Sequence, residues 1–145
     1  MAGIVVGIDG SPNSQRALDW AMHEAADRHA ALTFVAVHEV SKGYWSSSPV
    51  IGAVDDGLLA QLRQSAEAMT AKSAAALGDG QPASVNVHAV SGFAAKELID
   101  ASQDADLVVV GSRGGGGFAR LLMGSVSSQV IDHSACPVVV VPHDR

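Results

Sequence analysis

The sequence lacks the features that mark several common protein classes. Its single cysteine, Cys136, permits no disulfide framework. Its longest apolar runs, such as Val138–Val141, fall far short of the ~20 residues that cross a membrane, so no membrane association is expected. Residues Met1–Ile4 pass straight into a strand-like pattern, without the charged segment and cleavage site of a secretory leader. Together these features favour the cytoplasm.

Basic residues are also scarce. The 9 Lys and Arg residues are outnumbered by 15 Asp and Glu residues, and the formal net charge is −6. The basic residues are scattered rather than clustered. Because nucleic-acid phosphates are held by a surplus of Lys and Arg, nucleic acid is not an expected partner. A single nucleotide needs no such surplus, since backbone N–H groups can bind its phosphates.

Aromatic residues make up only 4% of the chain, so aliphatic residues must fill the interior. Hydrophobic residues amount to 48% of the 145 positions, which is enough for a sizeable core. No linker-like segment and no internal repeat divides the chain. Residues 1–145 are therefore predicted to form a single domain.

Apolar strand patterns alternate with helical ones along the whole chain. Strands are predicted at Gly3–Ile8, Ala31–Glu39, Ala83–Val90, Asp106–Gly111 and Pro137–Val141. Helices are predicted up to about His29, from about Val54 to Leu77, from Ser91-Gly92 onward, and from about Phe118 to Ser134, with a loop at Val40–Gly52. The inner face of the second helix is predicted to include Leu58, Leu59, Leu62, Ala66 and Met69. The inner face of the last helix is predicted to include Phe118, Leu121, Leu122, Val126, Val130 and Ile131. This alternation predicts an α/β fold, with a parallel sheet and helices on both faces.

A glycine-rich stretch follows the fourth predicted strand. Gly114–Gly117 have no Cβ to block a ligand, and the helix that follows offers unpaired N–H groups and the positive end of its dipole to an anion. A flexible connector is the alternative, but the stretch lies between a valine strand and an amphipathic helix. Gly114-x-Gly116-x-x-Ala119 also fits a dinucleotide fingerprint, yet no acidic residue ends the following strand as that motif requires. There is no P-loop lysine.

Three further positions have two readings each. Asp9 follows the first strand, either as a turn or cap residue, or as a carboxylate near a ribose or a phosphate-bound divalent ion. Ser125 either allows close helix packing or donates to a phosphate. Arg113 flanks the glycine stretch and either reaches a phosphate or is solvated. If the strand order is 3-2-1-4-5, Asp9 and the glycine stretch face one crevice at the carboxyl edge of the sheet.

The spacing Gly111-x2-Gly114-x9-Gly124-Ser125 resembles the signature of universal stress proteins, in the branch that binds ATP. Ile4–Ser11 resembles the first strand and turn of that family, and Asp104–Gly114 and Cys136–Pro142 resemble its C-terminal half. The likeness covers nearly the whole chain. Many relatives carry a basic or polar side chain where this chain has Gly115, so the resemblance does not extend to that one phosphate contact, although the backbone donors remain.

The resemblance implies a Rossmann-like three-layer sandwich, of the adenine nucleotide alpha hydrolase-like type, with a five-stranded parallel sheet of order 3-2-1-4-5. It implies ATP as ligand, with Mg²⁺ or Mn²⁺ near Asp9, and a homodimer formed through strand 138–141. The implied nucleotide-binding residues are Asp9, Gly10, Val37, Gly111, Ser112, Arg113, Gly114, Gly115, Gly116, Gly117, Gly124, Ser125 and Val126. In this reading the backbone of Val37 meets the adenine.

Three functions follow from these patterns. The first is an ATP-binding stress-response protein that acts as a sensor or regulator. The second is an enzyme that hydrolyses ATP slowly or transfers an adenylyl or phosphoryl group. Against it, neither an SGGxDS loop nor an HxGH motif is present, and the six histidines show no nucleophile–base or metal spacing. The third is a dimeric interaction module with no nucleotide.

Overall fold

The structure of the protein, a computed structural model, describes residues 3–8, 12–39, 56–111 and 125–142. Five strands alternate with four helices in these ranges. In chain order the elements are β1 Gly3–Ile8, α1 Pro12–Arg28, β2 Ala31–Glu39, α2 Asp56–Ala75, β3 Ser84–Gly92, α3 Ala94–Ser102, β4 Leu107–Gly111, α4 Ser125–His133 and β5 Val138–Val141. The predicted alternation is confirmed.

The five strands form one parallel sheet with the order β3-β2-β1-β4-β5. The central strand β1 pairs with β2 from Gly3–Ala31 to Ile8–Ala36. On its other side it pairs with β4, from Ile4–Leu107 to Val6–Val109. The strand order implied by the resemblance is therefore confirmed.

The sheet separates two apolar cores, as successive side chains of a strand point to opposite faces. The first core contains Ile4 and Val6 of β1, with buried residues of α1 and α2. The second core contains Val5 of β1, with buried residues of α3 and α4. Helices thus cover both faces of the sheet, which gives the predicted three-layer sandwich.

The ends of α1 and α2 are explained by the backbone conformation and hydrogen bonds of the residues that follow them. After α2, Gly78 has φ 77°, a conformation that glycine adopts without penalty. The side-chain amide of Gln81 donates to the carbonyl oxygens of Ala74 and Gly78, both at 3.0 Å, and so caps the end of α2. After α1, His29 has φ 57°, and the N–H of Ala30 donates to Ala25 O at 2.8 Å.

Some predicted details differ from the structure. Ser91 and Gly92 were predicted to open a helix, but they end β3 and pair with His38 and Glu39 of β2. Pairing with β2 satisfies backbone groups there, and α3 begins only after Phe93, whose backbone is extended.

Two apolar residues assigned to inner helix faces are exposed. Leu58 on α2 is 44% exposed and Ile131 on α4 is 40% exposed. Helical periodicity locates the centre of a buried face, but the neighbouring elements decide where that face ends. The predicted helical residues Phe118, Leu121 and Leu122 lie outside the described residues.

Candidate functional site

The direction of chain connection reverses between β1 and β4. From β1 the chain crosses over through α1 to β2 on one side, whereas from β4 it crosses through α4 to β5 on the other. Continuing the observed register along these parallel strands brings Ile8 level with Gly111. In open α/β sheets, ligands bind at such a reversal, beyond the carboxyl ends of the strands.

Two of the helices that begin at this carboxyl edge follow the strands of the reversal, one from each layer. A helix that connects parallel strands starts where the preceding strand ends. The amino ends of α1, at Pro12, and of α4, at Ser125, therefore belong to this edge. Unpaired N–H groups and the helix dipole make such ends favourable for an anion. The reversal thus combines two strand ends with two helix starts of opposite layers.

The structure describes four of the predicted binding residues. Gly111 ends β4, and Ser125 and Val126 are the first two residues of α4. Val37 lies in β2, one residue beyond Ala36, the partner of Ile8. Strand order and helix direction thus bring all four to the carboxyl edge. The remaining predicted residues, namely Asp9, Gly10, Ser112, Arg113, Gly114, Gly115, Gly116, Gly117 and Gly124, lie outside the described residues.

Val37 and Val126 are half-buried, and both pack against the second core. One belongs to the sheet and the other to the helix layer above it. Their partial exposure leaves apolar surface at the carboxyl edge, which is suitable for the face of a flat ring. On the β1 side the described pairing of β2 ends at Ala36 with Ile8, whereas on the β3 side it continues to Glu39 and Gly92.

Sequence reasoning missed a close contact directly below this edge. Gly7, next to last in β1, packs against Leu98 of α3. A Cβ at Gly7 would lie 2.5 and 2.6 Å from the two methyl carbons of Leu98 and 3.0 Å from its Cγ. The available signal was a glycine inside an apolar strand, which often marks a close approach.

A buried hydroxyl links the two helices of the second layer. Ser102, the last residue of α3, is 1% exposed. Its Oγ donates to Ile99 O at 2.6 Å and accepts from the N–H of Ala135, after α4, at 2.9 Å. The next turn is held by Ser134, whose Oγ accepts from the N–H of Cys136 at 3.2 Å. Cys136 itself is half-buried against the second core, as a structural residue would be.

The described residues contain no group of three or more His, Cys, Asp or Glu side chains placed to hold a metal ion. Asp9, the predicted neighbour of a divalent ion, lies outside the described residues. One clear electrostatic effect lies on the exposed face of α3. The pKa of Lys96 is raised by its hydrogen bond to Asp100 at 2.8 Å and by the attraction between the two charges.

A shallow groove lies away from the reversal, between α2 and the outer edge of β3. It encloses about 510 Å³, and its polar lining includes Arg63, Glu67 and His88. Arg63 and Glu67 are already paired with each other at 3.2 Å.

No helix in the described part of the chain is both long and apolar enough to cross a membrane.

The order of the sheet and the reversal between β1 and β4 define a Rossmann-like α/β protein. The model of the universal stress protein family matches residues 2–142. A universal stress protein of Mycolicibacterium smegmatis is 34% identical over 142 residues. One of Mycobacterium tuberculosis (strain ATCC 25618 / H37Rv) is 36% identical over 148 residues. The chain therefore belongs to the universal stress protein family.

The match covers 98% and 99% of this chain but 48% of each relative. The chain thus spans about half the length of the curated relatives it matches.

Solved structures with the same fold include nucleotide complexes. The chain is similar to UspA from Lactobacillus plantarum, with TM-score 0.79, 24% identity and 97% of both chains covered. It is similar to a universal stress protein in complex with cAMP, with TM-score 0.67, 25% identity and 99% and 100% covered. It is also similar to a protein of Archaeoglobus fulgidus in complex with dAMP, with TM-score 0.61, 22% identity and 97% of both chains covered.

Proposed function

We propose that this protein binds ATP at the reversal between β1 and β4 and acts as a nucleotide-dependent sensor or regulator in a stress response. One observation carries the proposal. The described fold brings Gly111 and the start of α4 to the carboxyl edge beside the end of β1, and these are the two ends of the spaced glycine signature. Solved relatives in complex with cAMP and dAMP support an adenine nucleotide as the ligand class.

In this proposal each part of the site has a chemical role. Half-buried Val37 and Val126 offer apolar contact to the adenine ring. Backbone N–H groups of Gly114–Gly117 and of the first turn of α4 bind phosphate oxygens, helped by the helix dipole. Asp9 lies near the ribose and phosphates and coordinates Mg²⁺ or Mn²⁺ when the nucleotide brings one. Several charge-assisted hydrogen bonds of about 1.5–3 kcal/mol each would suffice for micromolar affinity after the costs of association.

We propose that ATP is held rather than rapidly consumed, in a cytoplasmic setting. The sequence offers no base beside the glycine stretch apart from Asp9, and no P-loop lysine to stabilise charge on a transferred phosphoryl group. Slow hydrolysis or group transfer is the competing function. Sustained conversion of ATP to ADP or AMP by the purified protein with Mg²⁺, lost in Asp9→Asn, would favour the enzymatic function.

Titration calorimetry with ATP tests the binding proposal. We expect micromolar binding that Gly114→Val weakens at least tenfold, because a branched side chain would occupy the space of the phosphates. Gly80→Val is a matched control, since a Cβ there meets nothing within 4 Å. Absence of heat with ATP at high protein concentration, or equal binding by both variants, would contradict the proposal. Recovery of nucleotide-free protein that does not bind added ATP would favour the third function, a dimeric interaction module.

We also propose that two copies pair through β5. It is an edge strand of the described sheet, and an unpaired valine edge invites association. Both neighbouring helices expose a large apolar side chain, Trp20 on α1 at 37% and Ile131 on α4 at 40%. Trp20 lies one turn from Arg16, which donates to Pro142 O just beyond β5 at 3.0 Å. These side chains would extend the interface on either side of the paired strands.

Sedimentation at several protein concentrations tests this pairing. We expect a dimer for the unmodified protein and a monomer for the double variant Trp20→Glu and Ile131→Glu, because two charges would be buried in each half of the interface. Leu58→Glu is the matched control, since Leu58 is equally exposed on α2, at the other end of the sheet. A monomeric parent protein, or an equal effect of the control, would contradict pairing through β5.

A further inference from the structure

The contact between Gly7 and Leu98 lies at the base of the proposed nucleotide crevice. Gly7 is followed in β1 only by Ile8, and it faces the second core because Val5, two residues earlier, does so. It pairs with Val35 of β2, and continuing the β1–β4 register places Val110 on its other side. The missing side chain thus leaves a notch between two valines.

Leu98 fills this notch from above. It is 2% exposed, and three of its carbon atoms lie within 3.0 Å of the position that a Cβ at Gly7 would take. Carbon atoms pack best at about 3.5–4.0 Å, so even a single methyl group here requires a displacement of about 1 Å. Turning the Leu98 methyl groups alone gives no relief, because Cγ is also too close. Because Leu98 is enclosed by the second core, we expect the helix to move away from β1 instead.

A movement of α3 would be passed on to α4. The two helices pack against each other within the second core. The buried Ser102 hydroxyl also bonds the end of α3 to Ala135, just beyond α4. Val126, in the first turn of α4, packs against the same core that contains Leu98. We therefore treat α3 and α4 as a pair that keeps one common height above the sheet. Among the described glycines, Gly7 has the tightest contact with this pair, through Leu98.

We propose that Gly7 and Leu98 are positioning residues for the nucleotide: their contact sets the height of the α3–α4 pair, and with it the distance between the end of β1 and the first turn of α4. The inference rests on the proposed function, since it assumes that ATP contacts both. A group at the end of β1 and one at the start of α4 can bind the same phosphate chain only at a fixed separation. Raising α4 by about 1 Å would lengthen those hydrogen bonds beyond their useful range.

Two single variants and their combination distinguish an effect on the position of α4 from an effect on the stability of the fold. Gly7→Ala should weaken ATP binding about tenfold, the equivalent of one lost charge-assisted hydrogen bond. Leu98→Ala alone removes the contact and leaves a cavity, so it should lower the melting temperature, but in combination with Gly7→Ala it makes room for the added methyl group. The double variant should regain most of the affinity lost in Gly7→Ala. If the double variant instead binds ATP as weakly as Gly7→Ala, or more weakly, the contact has no positioning role.

A matched control comes from the other end of the same strand. A Cβ at Gly3 would lie 2.5 Å from Ala31 O, so Gly3→Ala also strains β1, but at the amino edge. It should lower stability without changing the affinity of the folded fraction for ATP. Should Gly7→Ala fail to fold, Leu98→Phe overfills the same notch from the helix side and should weaken ATP binding similarly. Unchanged affinity in that variant would overturn the proposal.

Hydrogen exchange in the absence of ligand distinguishes the two proposals. Gly7→Ala should accelerate exchange of the α4 amides beyond its first turn, which are paired within the helix, and Gly3→Ala should not. Faster exchange together with a parent protein that binds no ATP would refute the proposed function while confirming control of α4 by Gly7. ATP binding by the parent, with neither affinity nor exchange altered in Gly7→Ala, would refute the positioning role alone.

Discussion

The hydroxyl of Ser102 is expected to contribute far more to stability than its size suggests. In Ser102→Ala the N–H of Ala135 loses its acceptor at 2.9 Å, and Ile99 O loses a donor at 2.6 Å. An unsatisfied, partly buried donor costs about 1–3 kcal/mol, and a lost hydrogen bond about 0.5–1.5 kcal/mol. We therefore expect the free energy of unfolding to fall by about 2 kcal/mol. For a chain of this length that lowers the melting temperature by about 7 °C.

Ser73→Ala supplies the comparison. Ser73 is also buried, and its Oγ donates to Asp19 Oδ1 at 2.6 Å. Asp19 is exposed and also accepts from Gln15 at 3.0 Å, so loss of Ser73 leaves its carboxylate solvated. We expect a loss below about 1 kcal/mol.

Thermal and urea unfolding at one fixed protein concentration measure both variants, since association would shift the transition. Hydrogen exchange adds a local readout, because only Ser102→Ala should expose the amide of Ala135. Equal shifts for the two serine variants, or a protected Ala135 amide in Ser102→Ala, would refute the idea that an orphaned donor controls the cost.

Three more perturbations test other parts of the fold. Phe34→Ala should lower the free energy of unfolding in urea by about 3–5 kcal/mol, since this fully buried ring would leave a cavity in the first core; a loss under 1 kcal/mol would contradict that packing. The raised pKa of Lys96 implies that its pairing with Asp100 stabilises the fold at neutral pH and is lost as the pH rises through that pKa. The melting temperatures of the parent and Lys96→Gln should therefore converge in alkaline buffer or high salt, and a gap that persists there would exclude the ion pair. Arg16→Met removes the hydrogen bond to Pro142 O and should accelerate hydrogen exchange in β5, whereas unchanged exchange would show that this bond does not hold the strand end.

Much of the fold could be predicted because a buried parallel strand is apolar on both faces. Gly3–Ile8 and Ala31–Glu39 have the predicted bounds. The order of the strands could not be obtained from periodicity and came from the resemblance. Ser91 and Gly92 were misplaced because a serine followed by a glycine also suits a helix start. Only the pairing with β2, a tertiary contact, keeps them in the strand.

The candidate site could be predicted only in part, for a different reason. The spaced glycines indicate where a phosphate would lie, and Gly111 and Ser125 are found at the expected edge. The contact beneath that edge depends on two residues 91 positions apart, Gly7 and Leu98. No local pattern links them, since each alone reads as an ordinary strand glycine or helix leucine. The exposure of Ile131 was missed for a similar reason, because it depends on where neighbouring elements end.

The central position of β1 also has a consequence for how the protein is made. Its pairing with β2 can form as soon as residue 39 has been synthesised, through the local unit of β1, α1 and β2. Its other edge stays open until β4 emerges at Leu107. During most of synthesis the growing chain therefore presents an unpaired apolar edge, which is prone to association with other chains. The crevice between β1 and β4 forms only after β4 has emerged, so the proposed nucleotide could not template the first steps of folding.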